Sequence, residues 1–146
     1  MGSFRSGPFG AALSYEQYDG TDTYNKVFTL GGNYNFGFAT FYAGYQMTSD
    51  FGFANSFSAV GTDHDAYSVG VMVPWGNWQF RGQYISSSVD QPGAAPDYDQ
   101  SKYGLSARYA LSKRTTLYGV FTQRSGDLNE TFQRRQETAV GVAHVF

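Results

Sequence analysis

The sequence predicts an all-β protein, an antiparallel transmembrane β-barrel with eight strands in this chain. Apolar and aromatic residues recur at every second position through most of the 146 residues, which is the period of a β-strand. The composition includes 13 Phe, 12 Tyr, 2 Trp and 18 Gly, unlike a typical soluble core. The chain ends on Phe146, directly after a run of alternating residues. Such an ending suits a final strand whose last ring lies at a membrane interface.

Eight segments carry this alternation, each with bulky residues on one face and small or polar residues on the other. In chain order, the bulky sets are Phe9, Ala11, Leu13 and Tyr15; Phe28, Leu30, Gly32, Tyr34 and Phe36; Phe41, Ala43, Tyr45 and Met47; Tyr67, Val69, Val71, Val73 and Trp75; Trp78, Phe80 and Tyr84; Tyr103, Leu105, Ala107, Tyr109 and Leu111; Leu117, Gly119 and Phe121; and Val140, Val142, His144 and Phe146.

The connections between these segments alternate between short and long. Gly37, Gly76-Asn77 and residues 112–114 predict tight turns, whereas residues 20–25, 52–63, 91–100 and 126–135 are long and polar. Outer-membrane barrels have short periplasmic turns and long external loops. We therefore predict a single domain over residues 1–146, with residues 1–7 an appended start or disordered. An even strand count places both termini on the periplasmic side.

The position of residues along each strand indicates which face meets lipid. Aromatic residues concentrate near strand ends, while Ala, Val, Leu and Gly fill the middles, as in two aromatic girdles around an apolar band. A soluble barrel, such as a lipocalin-like carrier, would carry more Lys and Glu on its polar face. The predicted girdle comprises Tyr15, Tyr34, Phe36, Trp75, Trp78, Tyr109 and Phe146. The predicted lumen-facing residues are Glu16, Gln46, Gln79, Arg81, Gln83 and Arg108.

Composition and spacing argue against other functions. No apolar run approaches the length of a membrane helix, and the net charge of −2 gives no electrostatic basis for nucleic-acid binding. Without cysteine there is no thiol chemistry. Asp63-His64-Asp65 is the sole catalytic candidate and has no nucleophile motif beside it. The acids Asp90, Asp97 and Asp99 lack calcium-loop spacing. We expect no enzyme activity, metal or cofactor.

Several stretches carry a family resemblance. They are residues 7–15, 31–36, 41–46, 109–118 and 141–146, of which Tyr109 to Tyr118 is the most specific. Together they resemble a general porin of Gram-negative outer membranes, of the beta-proteobacterial type, and their order matches its C-terminal half. The resemblance implies passive diffusion of small hydrophilic solutes across the outer membrane. It also implies that Val142, His144 and Phe146 form the signal that barrel-assembly machinery reads.

The sequence departs from that family in two respects. Eight strands are half of a sixteen-stranded porin, and the resemblance implies basic lumen residues where this chain has Ala143 and Val145. The eight strands could close by themselves, as in a truncated or engineered barrel without transport, with Glu16, Arg81 and Arg108 paired inside. Alternatively, two copies could meet edge to edge.

The expected partners follow from the membrane location. They are the lipid bilayer, solutes if a pore forms, a second copy of the chain, and lipopolysaccharide near Arg124, Arg134 and Arg135. A loop-based binder or enzyme is a further alternative without a supporting motif.

Overall fold

The computed structural model describes residues 1–19, 23–53, 62–90, 98–126 and 136–146. They form one antiparallel sheet in which the strands follow one another in chain order, so the predicted all-β antiparallel fold is confirmed. No helix in these ranges is long and apolar enough to cross a membrane. The strands are β1 Gly2–Ser6, β2 Phe9–Asp19, β3 Thr23–Asn35, β4 Thr40–Phe53, β5 Thr62–Trp75, β6 Trp78–Asp90, β7 Tyr98–Ala110, β8 Thr115–Gly126 and β9 Gln136–His144.

The sheet has nine strands, one more than predicted. The additional strand is β1, which pairs with β2 over Gly2–Ser6, so the expectation that residues 1–7 are disordered is wrong. Its five residues contain one bulky apolar side chain, Phe4, too few for alternation to be visible. Gly2 lies opposite Leu13, halfway along β2. The even count that placed both termini at the same end of the sheet is therefore wrong as well.

Four tight turns lie at one end of the sheet and the long connections at the other. Three of them were predicted, and the fourth, at Gly7 and Pro8, joins β1 to β2. Gly37 and Gly76 have φ of 88° and 59°, a region that glycine enters without strain. In the turn after β7, Ser112 Oγ accepts 3.1 Å hydrogen bonds from the backbone N–H groups of Arg114 and Thr115. Most residues of the predicted long loops lie outside the described ranges.

The sheet is a single layer without a core. Each strand contacts only its neighbours in sequence. Among the described residues, Ala39 is the one buried hydrophobic side chain. Large apolar side chains such as Leu105 and Val140 are 58% and 82% exposed. A sheet in water must bury one face against another layer, so this apolar face requires a different environment.

The two edge strands, β1 and β9, are not paired with each other in the described sheet. Nine antiparallel strands make both edges run in the same direction, towards the turns. Joining them directly would create a parallel pair. The structure is therefore not a closed eight-stranded barrel, and two copies joined edge to edge would hold eighteen strands rather than sixteen.

Candidate functional site: a sheet with one apolar and one polar face

The register places all eight predicted bulky sets on one face of the sheet, which we call the apolar face. Residues directly opposite each other in neighbouring strands share a face. One such row joins Leu13, Leu30, Tyr45 and Tyr67 across β2 to β5. Because no register shift interrupts the middle of the strands, the apolar face is continuous from β1 to β9.

Aromatic side chains cluster at the turn end of the apolar face. Trp75 and Trp78 are directly opposite each other on either side of the turn between β5 and β6. The Trp78 and Tyr109 ring centroids are 4.7 Å apart, and those of Tyr34 and Phe36 are 4.5 Å apart. The structure thus brings six of the seven predicted girdle residues, including Phe146 after β9, to this end.

A second aromatic row lies at the loop end and consists of tyrosines, Tyr15 among them. Three of their hydroxyl groups donate to a polar side chain on the same face, either in the same strand or in the neighbouring one. Tyr15 bonds Gln17 Oε1 at 3.3 Å, Tyr45 bonds Asp65 Oδ1 at 3.1 Å, and Tyr103 bonds Gln123 Oε1. A ring that contacts apolar surface while its hydroxyl meets polar groups is typical of tyrosine at a membrane interface. The row is Tyr15, Tyr45, Tyr67, Tyr84 and Tyr103.

The band of apolar side chains on this face, which we call the apolar belt, is inclined to the hydrogen-bonded rows of the sheet. At the loop end, the belt stops at Tyr15 on β2 and at Val140 on β9. To compare the two boundaries, we follow the cross-strand pairs from each residue to the same strand, β5. The pairs that start at Tyr15 reach β5 at Asp65, and those that start at Val140 reach β5 at Val73.

The boundary thus shifts by eight residues over seven strand-to-strand steps. With about 3.3 Å per residue and about 4.8 Å between strands, this shift tilts the strands by about 38° from the normal to the apolar band. Strands in outer-membrane barrels tilt by roughly 35–45°. The inclination is therefore the one expected if the apolar face is a horizontal belt in a membrane.

The six predicted lumen residues all lie on the opposite face, which we call the polar face. Gln79 is directly opposite Arg108, and its Nε2 donates a 3.1 Å hydrogen bond to Met72 Sδ. Glu16 lies on β2, four strands from Arg81, so the predicted pairing of Glu16 with Arg81 and Arg108 is wrong. The six residues are Glu16 on β2, Gln46 on β4, Gln79, Arg81 and Gln83 on β6, and Arg108 on β7.

Charge is distributed unequally between the faces. Arg5 and Lys102 also lie on the polar face, since they are opposite Gly10 and Ile85. Sequence analysis missed both because it omitted β1 and started the sixth segment at Tyr103. Among the described side chains, the polar face carries five basic and two acidic residues. They are Arg5, Arg81, Lys102, Arg108 and Arg124 against Glu16 and Glu137.

The remaining candidates do not come together into a site. His64 is on the polar face opposite Thr48, whereas Asp63 and Asp65 are on the apolar face. Asp99 is opposite Ser88 on the apolar face, and Asp97 lies outside the described residues. Arg124 is on the polar face near the loop end of β8, opposite Lys102, and its contact with lipopolysaccharide stays a prediction. Arg134 and Arg135 lie outside the described residues.

The predicted insertion signal lies at the turn end of β9. Val142 is opposite Leu117, and His144 is opposite Thr115, with 2.9 Å between His144 Nδ1 and Thr115 Oγ1. The Phe146 ring contacts the His144 ring edge-on at 4.9 Å and is otherwise fully exposed.

An apolar belt between two aromatic rows, a polar opposite face and strands inclined to the belt define a wall of a transmembrane β-barrel. A family model described as Gram-negative porin matches residues 1–129, and the chain belongs to this family. A comparison with curated proteins finds no match. Family membership places the chain in the outer membrane, in contact with the lipid bilayer, and supports a non-enzymatic role. The beta-proteobacterial subtype and the correspondence to the C-terminal half stay predictions.

Proposed function

We propose that the chain forms part of the wall of a water-filled pore through which small hydrophilic solutes diffuse passively. In this arrangement the apolar face meets lipid and the polar face meets the aqueous lumen. The observation that carries the proposal is the separation of the two faces along all nine strands. The family match supports it, and no energy-coupling or catalytic step is needed for diffusion.

The polar face has the side chains of a hydrated surface. Arg81, Gln83 and Arg108 are exposed, and their polar heads would lose hydration in a lumen closed to water. Unpaired polar groups in an apolar environment are unfavourable by several kcal/mol. A wide, water-filled lumen supports these residues better than a small barrel filled by side chains.

A complete pore requires further strands between β9 and β1. Both edges expose unpaired backbone groups, which are strongly disfavoured in lipid. Because the edges run in the same direction, an all-antiparallel barrel needs an odd number of additional strands. Two copies inserted with their loops on the same side would meet in parallel pairs, so we favour closure by other strands over a barrel of two copies.

For the orientation, we propose that the tight turns face the periplasm and the long loops face outside. The chain has no cysteine, so single cysteines can report on it. In intact cells, a maleimide attached to a hydrophilic polymer too large to pass the pore should not label Asn77→Cys in the turn after β5. Labelling of Asn77→Cys in intact cells, at the level seen in lysed cells, would overturn this orientation.

Conductance in planar bilayers tests the proposed function. We expect discrete steps from a complete barrel that contains this chain and whose folded state shows heat-modifiable migration in gels. Gly31→Trp adds a ring on the polar face, where a Cβ meets no atom closer than 3.8 Å, and should lower the conductance. Its neighbour Leu30 is on the apolar face, so Leu30→Trp is the matched control and should leave conductance unchanged. A folded, complete barrel without any conductance would overturn the proposal.

A further inference from the structure

We propose that the polar face of β2 to β5 carries a binding site for neutral sugars, in which the ring of Tyr42 packs on one face of a pyranose. We call this site the sugar trough. Its floor is a row of small residues, and its two sides carry hydroxyl and amide groups. Binding of a sugar to the trough does not require conduction, whereas a role in the passage of sugars rests on the proposed pore.

The floor of the trough is one cross-strand row that holds small side chains on five successive strands. Gly31 is directly opposite Ala12 on one side and Gly44 on the other. At Gly31 an added Cβ would meet no atom closer than 3.8 Å. The polar face therefore has a depression there of about 580 Å³, a volume typical of small-molecule sites. The floor residues are Ser3, Ala12, Gly31, Gly44 and Ser68.

The sides of the trough carry neutral polar groups. On the turn side, Asn33 and Tyr42 are directly opposite each other, and both line the depression. On the loop side, Thr29 is opposite Gln46. Among the residues that the structure describes, none of these four side chains has a hydrogen-bond partner. Their donors and acceptors are therefore open to a ligand.

Tyr42 supplies an aromatic ring that a ligand can reach. Among the described side chains, the polar face has two aromatic rings, those of Tyr42 and Tyr118. The Tyr118 ring lies on the backbone of Gly141, where it occupies the place of an added Cβ. The Tyr42 ring is 43% exposed, and its neighbour on β5 is Gly70, which has no side chain to cover it.

A pyranose matches an exposed ring between polar groups. One face of the sugar presents C–H groups, which pack on the negative face of an aromatic ring. The rim of the sugar carries hydroxyl groups, which both donate and accept hydrogen bonds. The amides of Asn33 and Gln46 can also donate and accept, and they lie on opposite sides of the floor. A sugar on Tyr42 would therefore have partners for its hydroxyl groups on both sides.

The charge of the trough favours uncharged solutes. Its floor and its sides on β2 to β5 consist of uncharged residues. Arg5 lies at the β1 edge, opposite Gly10, and Glu16 lies one polar-face position beyond Ser14 on β2. A charged solute finds no opposite charge beside Tyr42, whereas a neutral sugar needs none.

The trough lies towards the loop end of the polar face. Gly44 precedes Tyr45 of the loop-side tyrosine row on β4, and Ser68 follows Tyr67 of the same row on β5. In the proposed orientation the loop end faces outside. A sugar that enters the pore from outside would therefore meet the trough near the entrance.

Binding can be measured by saturation-transfer NMR on a complete barrel that contains this chain, folded in an oligo-oxyethylene detergent. Such a detergent has no sugar headgroup to compete and no aromatic protons to be irradiated with those of the protein. The ligand is methyl β-D-glucopyranoside, and we expect transfer from the aromatic protons to its ring C–H protons. Mannitol has similar hydroxyl groups without a rigid apolar face and should receive much less. Equal transfer to both compounds, or none to the glucoside, would overturn the proposal.

The two tyrosines of the polar face provide a matched pair of variants. Tyr42→Ala should weaken binding of the glucoside about fivefold, the size of a typical aromatic contact. Tyr118→Ala removes the same side chain from β8 and should leave binding unchanged. An equal loss in both variants would contradict the assignment of the site to Tyr42.

A change in the floor tests the site while the ring is kept. Gly31→Val adds a side chain where the floor is open and should weaken binding as strongly as Tyr42→Ala. Gly104→Val is the control, since a Cβ there makes an ordinary 3.5 Å contact with Thr122 on the polar face of β7 and β8. Heat-modifiable migration in gels shows that each variant is folded. Unchanged binding by folded Gly31→Val would overturn the trough.

Conductance then separates the sugar trough from the pore. Binding of the glucoside to a complete barrel without conductance would support the trough and overturn the pore. Conductance without any binding of the glucoside would support the pore and overturn the trough.

Discussion

The Tyr45 hydroxyl donates a 3.1 Å hydrogen bond to Asp65 Oδ1, and this bond joins a ring of the loop-side tyrosine row on β4 to the first charged residue beyond the apolar belt on β5. The bond marks the depth at which an apolar surface becomes polar. The Tyr103 hydroxyl on β7 donates to Oε1 of Gln123, the polar residue directly opposite it on β8. Two strand pairs thus locate the same boundary independently.

The first prediction concerns this boundary. Tyr45→Phe keeps the ring and removes the hydrogen bond, so we expect a lower urea midpoint of unfolding in lipid vesicles. Tyr67 is directly opposite Tyr45 and packs on Tyr84 with ring centroids 6.2 Å apart, but its hydroxyl has no hydrogen-bond partner among the described residues. Tyr67→Phe is therefore the control and should leave the midpoint closer to that of the parent. A larger effect of Tyr67→Phe would contradict the role assigned to the Asp65 bond.

The second prediction distinguishes the two faces. Leu30, which is 46% exposed on the apolar face, lies one apolar position inside Phe28, which is opposite Tyr15 of the loop-side row. Leu30→Arg should reduce the free energy of unfolding in vesicles by about 1–2 kcal/mol, between the costs of a charged residue at the interface and at the bilayer midplane. Thr29→Arg places the same side chain on the polar face, where water solvates it, and should change stability little. Similar losses from both variants would show that the apolar face does not contact lipid.

The third prediction separates assembly from stability at Phe146. The ring contacts His144 and is otherwise exposed, so Phe146→Ala should barely change unfolding in vitro. If the ring belongs to the insertion signal, the same variant should accumulate several-fold less in the outer membrane of cells. Phe38→Ala, at a 69% exposed ring in the turn before β4, is the control and should assemble normally. Normal assembly of Phe146→Ala would remove Phe146 from the signal.

The fourth prediction tests the turn between β5 and β6. Gly76 has a φ of 59°, a conformation that costs other residues about 1 kcal/mol or more. Gly76→Ala should therefore lower the free energy of unfolding by about 1 kcal/mol. Gly82 lies within β6, where a Cβ would make an ordinary 3.5 Å contact with Leu105. Gly82→Ala should be neutral or slightly stabilising, and an equal loss at both glycines would argue against a strained turn.

Alternation along the chain was sufficient to predict the two faces. The eight bulky sets share one face, and the polar candidates share the other. The reason is local, because successive side chains in a strand point to opposite sides whatever the strand pairs with. The tight turns at Gly37 and Gly76 were also predictable, because glycine reports a backbone conformation that other residues avoid.

Relationships between strands could not be predicted in the same way. β1 has a single bulky residue and is recognised through its pairing with β2. The separation of Glu16 from Arg81 depends on their strands being four places apart, which residue types do not reveal.

The sequence by itself determined that this protein is a two-faced sheet for a membrane, because alternation and aromatic position are properties of single strands. The tertiary structure alone decided the number of strands, the inclination of the belt and the excess of basic residues on the polar face. These depend on register, which sets Lys102 opposite Arg124 and leaves β1 and β9 as edges that run in the same direction. Register arises from hydrogen bonds between residues far apart in the chain, and no local pattern specifies which residues those bonds will join.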